Sequence, residues 1–225
     1  MTIATIRRYP VKSMGGEALD AVLVDERGLE GDRWFAVEDD DGRFASAKST
    51  RRFRRRDAVL DYAAATSPGG GVVVTGGAGR WEVGDPRLDA ALSAATEVAV
   101  RVTPESGVPH QDGGGVSLVG SATLAWCAER WGLDADPRRL RVNLVVATSE
   151  PFVEESWVGR DVAVGAAVLR VAERVERCRT VDLDQDGARA RGRWLAPLGR
   201  ERDTCLAVYA DVLGTVRVGD AVSVP

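Results

Sequence analysis

The sequence predicts a mainly β fold with a few helices (α+β), divided into a smaller N-terminal β half and a C-terminal half. Three observations carry this. Short apolar runs alternate with polar residues and are closed by Gly, Pro and Asp-Gly turns. Helical periodicity is clear only over Pro86 to Ala95 and from Ser121 to Trp131. A Pro- and Gly-rich stretch, Pro104 to Gly115, separates 1–103 from 104–225. The 225 residues suffice for one large unit or two small ones with a real core.

Taken in order, Thr2 to Arg8 alternates as a strand and runs into Tyr9-Pro10-Val11-Lys12-Ser13-Met14-Gly15-Gly16, where the proline and paired glycines end regular structure. Lys12-Ser13 sets a cation beside a hydroxyl in that loop, either a binding element or a solvated surface turn. Ala21 to Val24 is a second strand. Gly28 to Phe35 then holds a tight turn, the Asp32-Arg33 pair and the entry to a strand at Trp34 to Val37. Glu38 to Arg43 is an Asp-Gly hairpin turn. The basic run Arg51 to Arg56 reads as a solvated face or as an attractor of an acidic partner. Ala58 to Ala65 and Val72 to Thr75 continue the β pattern. In the helix from Pro86 to Ala95, Leu88, Ala91, Leu92 and Ala95 share a face, and Glu97 to Thr103 follows as a strand.

Past the boundary, Ser121 is the expected N-cap of a helix that carries Leu124, Cys127, Ala128 and Trp131 and stops at Gly132. Its N-terminus, with Ser121 and Thr123, offers free amides and hydroxyls to a phosphate. Arg139 to Val146 alternates as a strand that throws Arg139, Arg141 and Asn143 to one face. Those groups form either a clamp for a phosphate or a pterin-like ring, or ordinary salt bridges. Glu150 to Trp157 is a loop, and Arg160 to Val164 and Ala167 to Val171 are strands. Cys205 to Val212 and Thr215 to Val222 close the chain.

Arg177-Cys178-Arg179 is the chemically pointed stretch. Flanking cations stabilise a thiolate, the form that attacks electrophiles or binds a soft metal, while a free cysteine equally serves as a small core hydrophobe. Cys127, on the apolar helix face, belongs to the core. Other chemistries are excluded. One histidine, His110, and three dispersed cysteines cannot build a zinc site, and no GxSxG elbow accompanies His110. His110 is expected to hydrogen-bond locally beside the glycine-rich loop. Gly115 to Ser121 lacks the lysine of a P-loop. Asp182, Asp184 and Asp186 begin like a calcium loop, but position twelve is Arg193. A net charge of −4 gives no general attraction to nucleic acid or anionic membranes. The start has no apolar leader, no run is long enough to span a bilayer, and unpaired cysteines fit a cytoplasmic protein.

Six segments together resemble, in the same order, those of MOSC-domain proteins, the molybdenum-cofactor sulfurase C-terminal-domain family that includes the mitochondrial amidoxime-reducing component and bacterial relatives. They are Tyr9-Pro10-Val11-Lys12-Ser13, Gly31-Asp32-Arg33-Trp34, Arg139 to Asn143, Glu150 to Trp157, Arg177-Cys178, and Val218-Gly219-Asp220. The resemblance implies an N-terminal β-barrel-like domain over 1–103 and a β-barrel-like MOSC domain over 104–225. It implies molybdenum on Cys178, as ligand and catalytic centre, and a molybdopterin held by Lys12, Ser13, Arg33, Arg141 and Asn143, with Ser121 and Thr123. The family's Asp-Pro-x-Thr-Gly after the cysteine is absent here, so no hydrogen-bond roles carry over to Thr180 and Asp184. A plant-type ferredoxin domain found in some relatives is absent as well, so electrons would come from a separate flavin or iron-sulfur protein. The implied activity is reduction of N-hydroxylated or other N-oxygenated small molecules. The alternatives are a non-catalytic carrier of the cofactor, a cysteine-persulfide sulfur-transfer protein, or a β-rich module for another anion.

Overall fold

The computed structural model describes residues 1–77 and 79–224, with all their side chains except that of Val212. Strands β1 (Thr2–Arg8), β2 (Glu17–Leu19), β3 (Ala21–Asp25) and β4 (Gly28–Leu29) open the chain. Strands β5 (Phe35–Asp39), β6 (Phe44–Ser46) and β7 (Phe53–Arg55) lead through a 3₁₀ turn to β8 (Ala63–Thr66), β9 (Val72–Gly76) and β10 (Gly79–Glu82). Helix α1 (Pro86–Thr96) and β11 (Val100–Pro104) follow. The second half runs through β12 (Val116–Gly120), α2 (Ser121–Trp131), β13 (Leu144–Ala147), β14 (Asp161–Val164) and β15 (Ala167–Glu176). It ends with α3 (Leu195–Glu201), β16 (Cys205–Arg217) and β17 (Val222–Ser223). The fold is mainly β, as expected.

A ten-stranded sheet, curled as a half-barrel, is the frame. Its order is β17-β14-β15-β16-β12-β13-β1-β2, with β3 on the far part of β16 and β4 on β3. All pairings in it are antiparallel except β12 with β13. The alternation of strand side chains explains its two cores. Leu118, Leu144 and Val146 face one cluster with Ile3, Ile6, Trp157 and Val208. Val119 and Val145 face the other, where α2 and α3 contribute Leu124, Cys127 and Leu198. Two smaller sheets, β10-β9-β8 and β11-β5-β6-β7, enclose a third cluster with Leu88 and Leu92 of α1. Strands β1–β4 thus belong to the large sheet, while Val11 and Gly15, between β1 and β2, bridge to Phe35 and Ala63 of the small ones.

Helix α1 starts where Asp85 accepts from the Arg87 amide (2.9 Å) with Pro86 next. For α2 the sequence placed Ser121 at the cap, but the cap is Gly120. A Cβ at Gly120 would lie 2.7 Å from both Glu154 Oε2 and Thr148 Oγ1, so the helix begins at a residue without one. Gly132, left-handed at φ 62°, ends it. Two other expectations needed correction. Residues 139–143 are not a strand: Asp136 caps a 3₁₀ turn at Pro137–Leu140, Arg141 is left-handed, and β13 begins only at Leu144. Helix α3 was missed because its seven residues are too few to show a period. Among the described residues, no helix is long and apolar enough to cross a membrane.

Candidate functional site

A cleft enclosing about 850 Å³, part of it open to solvent, lies where the large sheet meets the β5–β7 region. Its lining includes Lys12, Ser13, Arg33, Arg141, Asn143 and Cys178. These come from four separate stretches of the sequence. Ser121 and Thr123 do not line it. Ser121 Oγ accepts from the Thr148 amide (3.1 Å), and Thr123 Oγ1 donates to Glu154 Oε2 (3.0 Å) while accepting from the Phe152 amide (2.7 Å). Their hydroxyls fasten the start of α2 to the 148–154 segment, away from the cleft.

Three lining residues, Ser13, Arg33 and Arg141, hold left-handed backbone at φ 69°, 55° and 53°. Such conformations persist only where the surroundings impose them, and they gather at functional sites. The Arg33 amide is tied to the Tyr9 carbonyl (2.8 Å) and the Lys12 amide to that of Phe35 (2.8 Å). Buried Asp32 accepts from the Tyr9 amide (2.8 Å) and pairs with the Arg33 guanidinium. In this way Tyr9-Pro10-Val11-Lys12-Ser13 is locked to Gly31-Asp32-Arg33. The Tyr9 ring is the platform between them: the guanidiniums of Arg141 and Arg33 lie 4.3 and 5.0 Å from its centroid. Burial pushes the Tyr9 phenol up to about 12, and its hydroxyl has no partner among the described residues.

Cys178 is half-buried and stands just before the 3₁₀ turn Arg179–Asp182. Its Sγ lies 3.2 Å from Thr180 Oγ1. The turn is pinned from several sides. Gln185 Nε2 donates to Thr180 O (2.6 Å), Asp182 accepts from the Trp194 amide (2.6 Å), and Arg179 pairs with Asp57 (2.7 Å). Asp184 caps the Ala190 amide (2.6 Å) and Asp186 pairs with Arg7, so the acidic run serves turns and an ion pair.

Arg139 is fully buried and donates to the carbonyls of Val181 (2.8 Å), Arg191 (3.0 Å) and Gly192 (2.9 Å). It touches the cleft only at its floor and acts as a clamp on the Cys178 turn. Asn143 also lines the cleft, yet its Oδ1 accepts from the Ser117 amide (3.1 Å) and hydroxyl (3.0 Å), and its Nδ2 donates to Arg7 O (3.2 Å). It joins β12 to β1.

Six cationic side chains and two carboxylates are among the lining residues. Arg141 donates to the carbonyls of Ser13 (3.4 Å) and Met14 (2.8 Å) and has no carboxylate partner among the described residues. Arg177 donates to Leu140 O and Leu206 O (both 2.8 Å), and its Nη2 is buried without a partner among the described residues. Burial lowers both guanidiniums, Arg177 to about 10. Burial likewise lowers the Lys12 ammonium to about 8, against the pull of Asp112. For Asp112 burial works upward, but Lys12 and Lys48 hold its carboxyl well below the usual range.

The sequence did not reveal Lys48, Asp112, Tyr209 or Gly113-Gly114-Gly115 as lining. The glycines had been taken only as a boundary. A Cβ on Gly113 would meet the Tyr209 ring at 2.6 Å, and one on Gly28 would meet Gly115 O at 2.3 Å, so this loop is glycine because it lies flat on its neighbours. The ring of His110, beside it, reaches a distant segment: Nδ1 lies 3.1 Å from the carbonyl oxygen of Arg33, whose backbone is left-handed.

This donor set could pair guanidiniums and ammoniums with an anion and offers one sulfur to a soft metal. Two sequence matches agree in position. The MOSC domain matches residues 109–223 and the MOSC N-terminal beta barrel domain residues 1–78. No curated protein matches the chain in sequence. Among solved structures it is similar to the YuaD protein of Bacillus subtilis, with 13% identity, 99% of this chain and 94% of that one covered, and a TM-score of 0.48. It is also similar to YiiM of Geobacillus stearothermophilus, with 15% identity over 49% of this chain and a TM-score of 0.37. The match spans about half of YiiM's length, 54%.

Proposed function

This chain belongs to the MOSC family, and from that premise we propose that its cleft holds a molybdenum cofactor and reduces N-oxygenated small molecules. The observation that carries the reading is a half-buried thiol in one cleft with guanidiniums that lack carboxylate partners. Cys178 would ligate the metal, Arg141 and Arg177 would neutralise the phosphate, and Lys12, Ser13 and Arg33 would border the pterin. Asn143 supports from behind. The bound cofactor supplies two-electron transfer and oxygen abstraction, and the protein orients and tunes it.

For an amidoxime the balance is simple. The N–O bond breaks, two electrons and two protons enter, and the products are an amidine and water. The electrons come from a separate flavin or iron-sulfur protein. The chain's own residues do the rest. The Thr180 hydroxyl, 3.2 Å from Sγ, orients the Cys178 sulfur. Asp57, through Arg179, fixes the turn that carries it.

The test is molybdenum content per chain together with benzamidoxime reduction driven by an artificial donor. Wild type should retain metal and turn over; Cys178→Ala should lose both by at least about tenfold while melting as wild type does. Metal retained without turnover would leave a carrier, and labile sulfur without metal a persulfide-transfer protein.

A further inference from the structure

At the mouth of the cleft two lysines share one carboxylate. The Nζ atoms of Lys12 and Lys48 each lie 3.1 Å from the same oxygen, Oδ1 of Asp112. They also lie 4.4 and 5.1 Å from the centroid of the Phe53 ring. One carboxylate balances one ammonium, and a ring face compensates the second only in part. The two lysines differ in need. The Lys12 side chain is 5% exposed and depends on Asp112, whereas that of Lys48 is 29% exposed and partly solvated. Asp112 stands on the 111–115 stretch, whose backbone amides donate no hydrogen bond among the described residues. An ammonium has three donors, so with one on Asp112 Lys48 can turn two toward the cleft mouth.

We infer that Lys48 is a specificity-determining residue that receives a carboxylate of the substrate, so that the compounds reduced here are N-oxygenated molecules carrying a carboxylate. This rests on the reductase reading and names its substrate class. Asp112 stays with Lys12 and fixes that buried ammonium, which leaves Lys48 as the cation that an incoming anion meets first. A neutral substrate gains nothing from Lys48, and a cationic one is repelled. The guanidiniums of Arg33 and Arg141, gathered over Tyr9, are left to the cofactor in this reading.

Benzamidoxime and 4-carboxybenzamidoxime are compared on the metal-loaded protein with a viologen as electron donor. Wild type should favour the carboxylated compound in kcat/KM. In Lys48→Met that preference should fall about tenfold, the factor given by about 1.4 kcal/mol, through KM and not kcat. Lys48→Arg should restore it. Independently of turnover, benzoate titrated calorimetrically into the metal-free protein should bind wild type and Lys48→Arg, and Lys48→Met about tenfold more weakly. An unchanged preference in Lys48→Met, or loss of molybdenum from it, overturns the inference. If metal-bound wild type reduces neither compound, the reductase reading falls, and the benzoate titration alone decides whether Lys48 is a carboxylate receptor.

Discussion

Lys12 carries its charge where burial opposes one, and this makes it the most informative titration in the chain. Its ammonium titrates near 8 in the folded protein against 10.5 when free. Above the folded value the native state has shed a proton that the unfolded chain keeps. Through this group, then, stability rises with pH between about 8 and 10.5, and below 8 the charge is held at a cost. Lys12→Met should therefore raise the melting temperature at pH 7, with a gain on the order of 2 kcal/mol. Anion binding should move the opposite way. Phosphate affinity of the metal-free protein, followed by calorimetry, should fall about tenfold from pH 7 to 9 in wild type and lose that dependence in Lys12→Met. Arg177 predicts a complementary result. Its Nη2 has no partner among the described residues, so Arg177→Gln should lower phosphate affinity at every pH from 6 to 9, and because the Leu140 and Leu206 carbonyls lose their donors it should also lower the melting temperature.

At the level of elements, the β3–β4 hairpin sets the height of the glycine loop. Gly28 has φ 114°, and a Cβ there would lie 2.3 Å from Gly115 O. Gly28→Ala should cost at least about 2 kcal/mol, read as a drop in melting temperature, and should weaken anion binding because the 113–115 loop is pushed off Tyr209. How far such features could be read from sequence depends on their physics. Alternation exposed the strands, and Pro86 and Gly132 marked helix ends, because these signals are local. Tyr9 to Ser13, Asp32-Arg33 and Cys178 were legible as motifs, although their meeting on the Tyr9 ring was not. Arg139 to Asn143 misled: an alternation over five residues is too short to exclude a 3₁₀ turn followed by a left-handed residue, which Asp136 caps here. Ser121 misled because the space beside Gly120 is set by Glu154 and Thr148, distant in sequence. Lys48 and Asp112 had no local signal at all.

On the scale of the whole molecule, β1 lies inside the large sheet, between β13 and β2, and β3 is carried by β16. Residues 104–224 expressed alone would lose both of those partners together with Ile3 and Ile6 from the core. That fragment should melt without a cooperative transition, whereas residues 1–224 should give a single sharp one by circular dichroism. The closure extends to the last strand: the Ile3 amide bonds to Asp220 O (2.9 Å) and the Val222 amide to Met1 O (2.8 Å). A ribosome therefore releases β1 with only β2 to pair with, long before β13 exists for its other edge. The wall that positions Arg177 and Cys178 waits for β16, which follows both in the sequence. Any cofactor must accordingly enter after β16 has docked, and until then a chaperone would find the exposed edge of β1 as its handle.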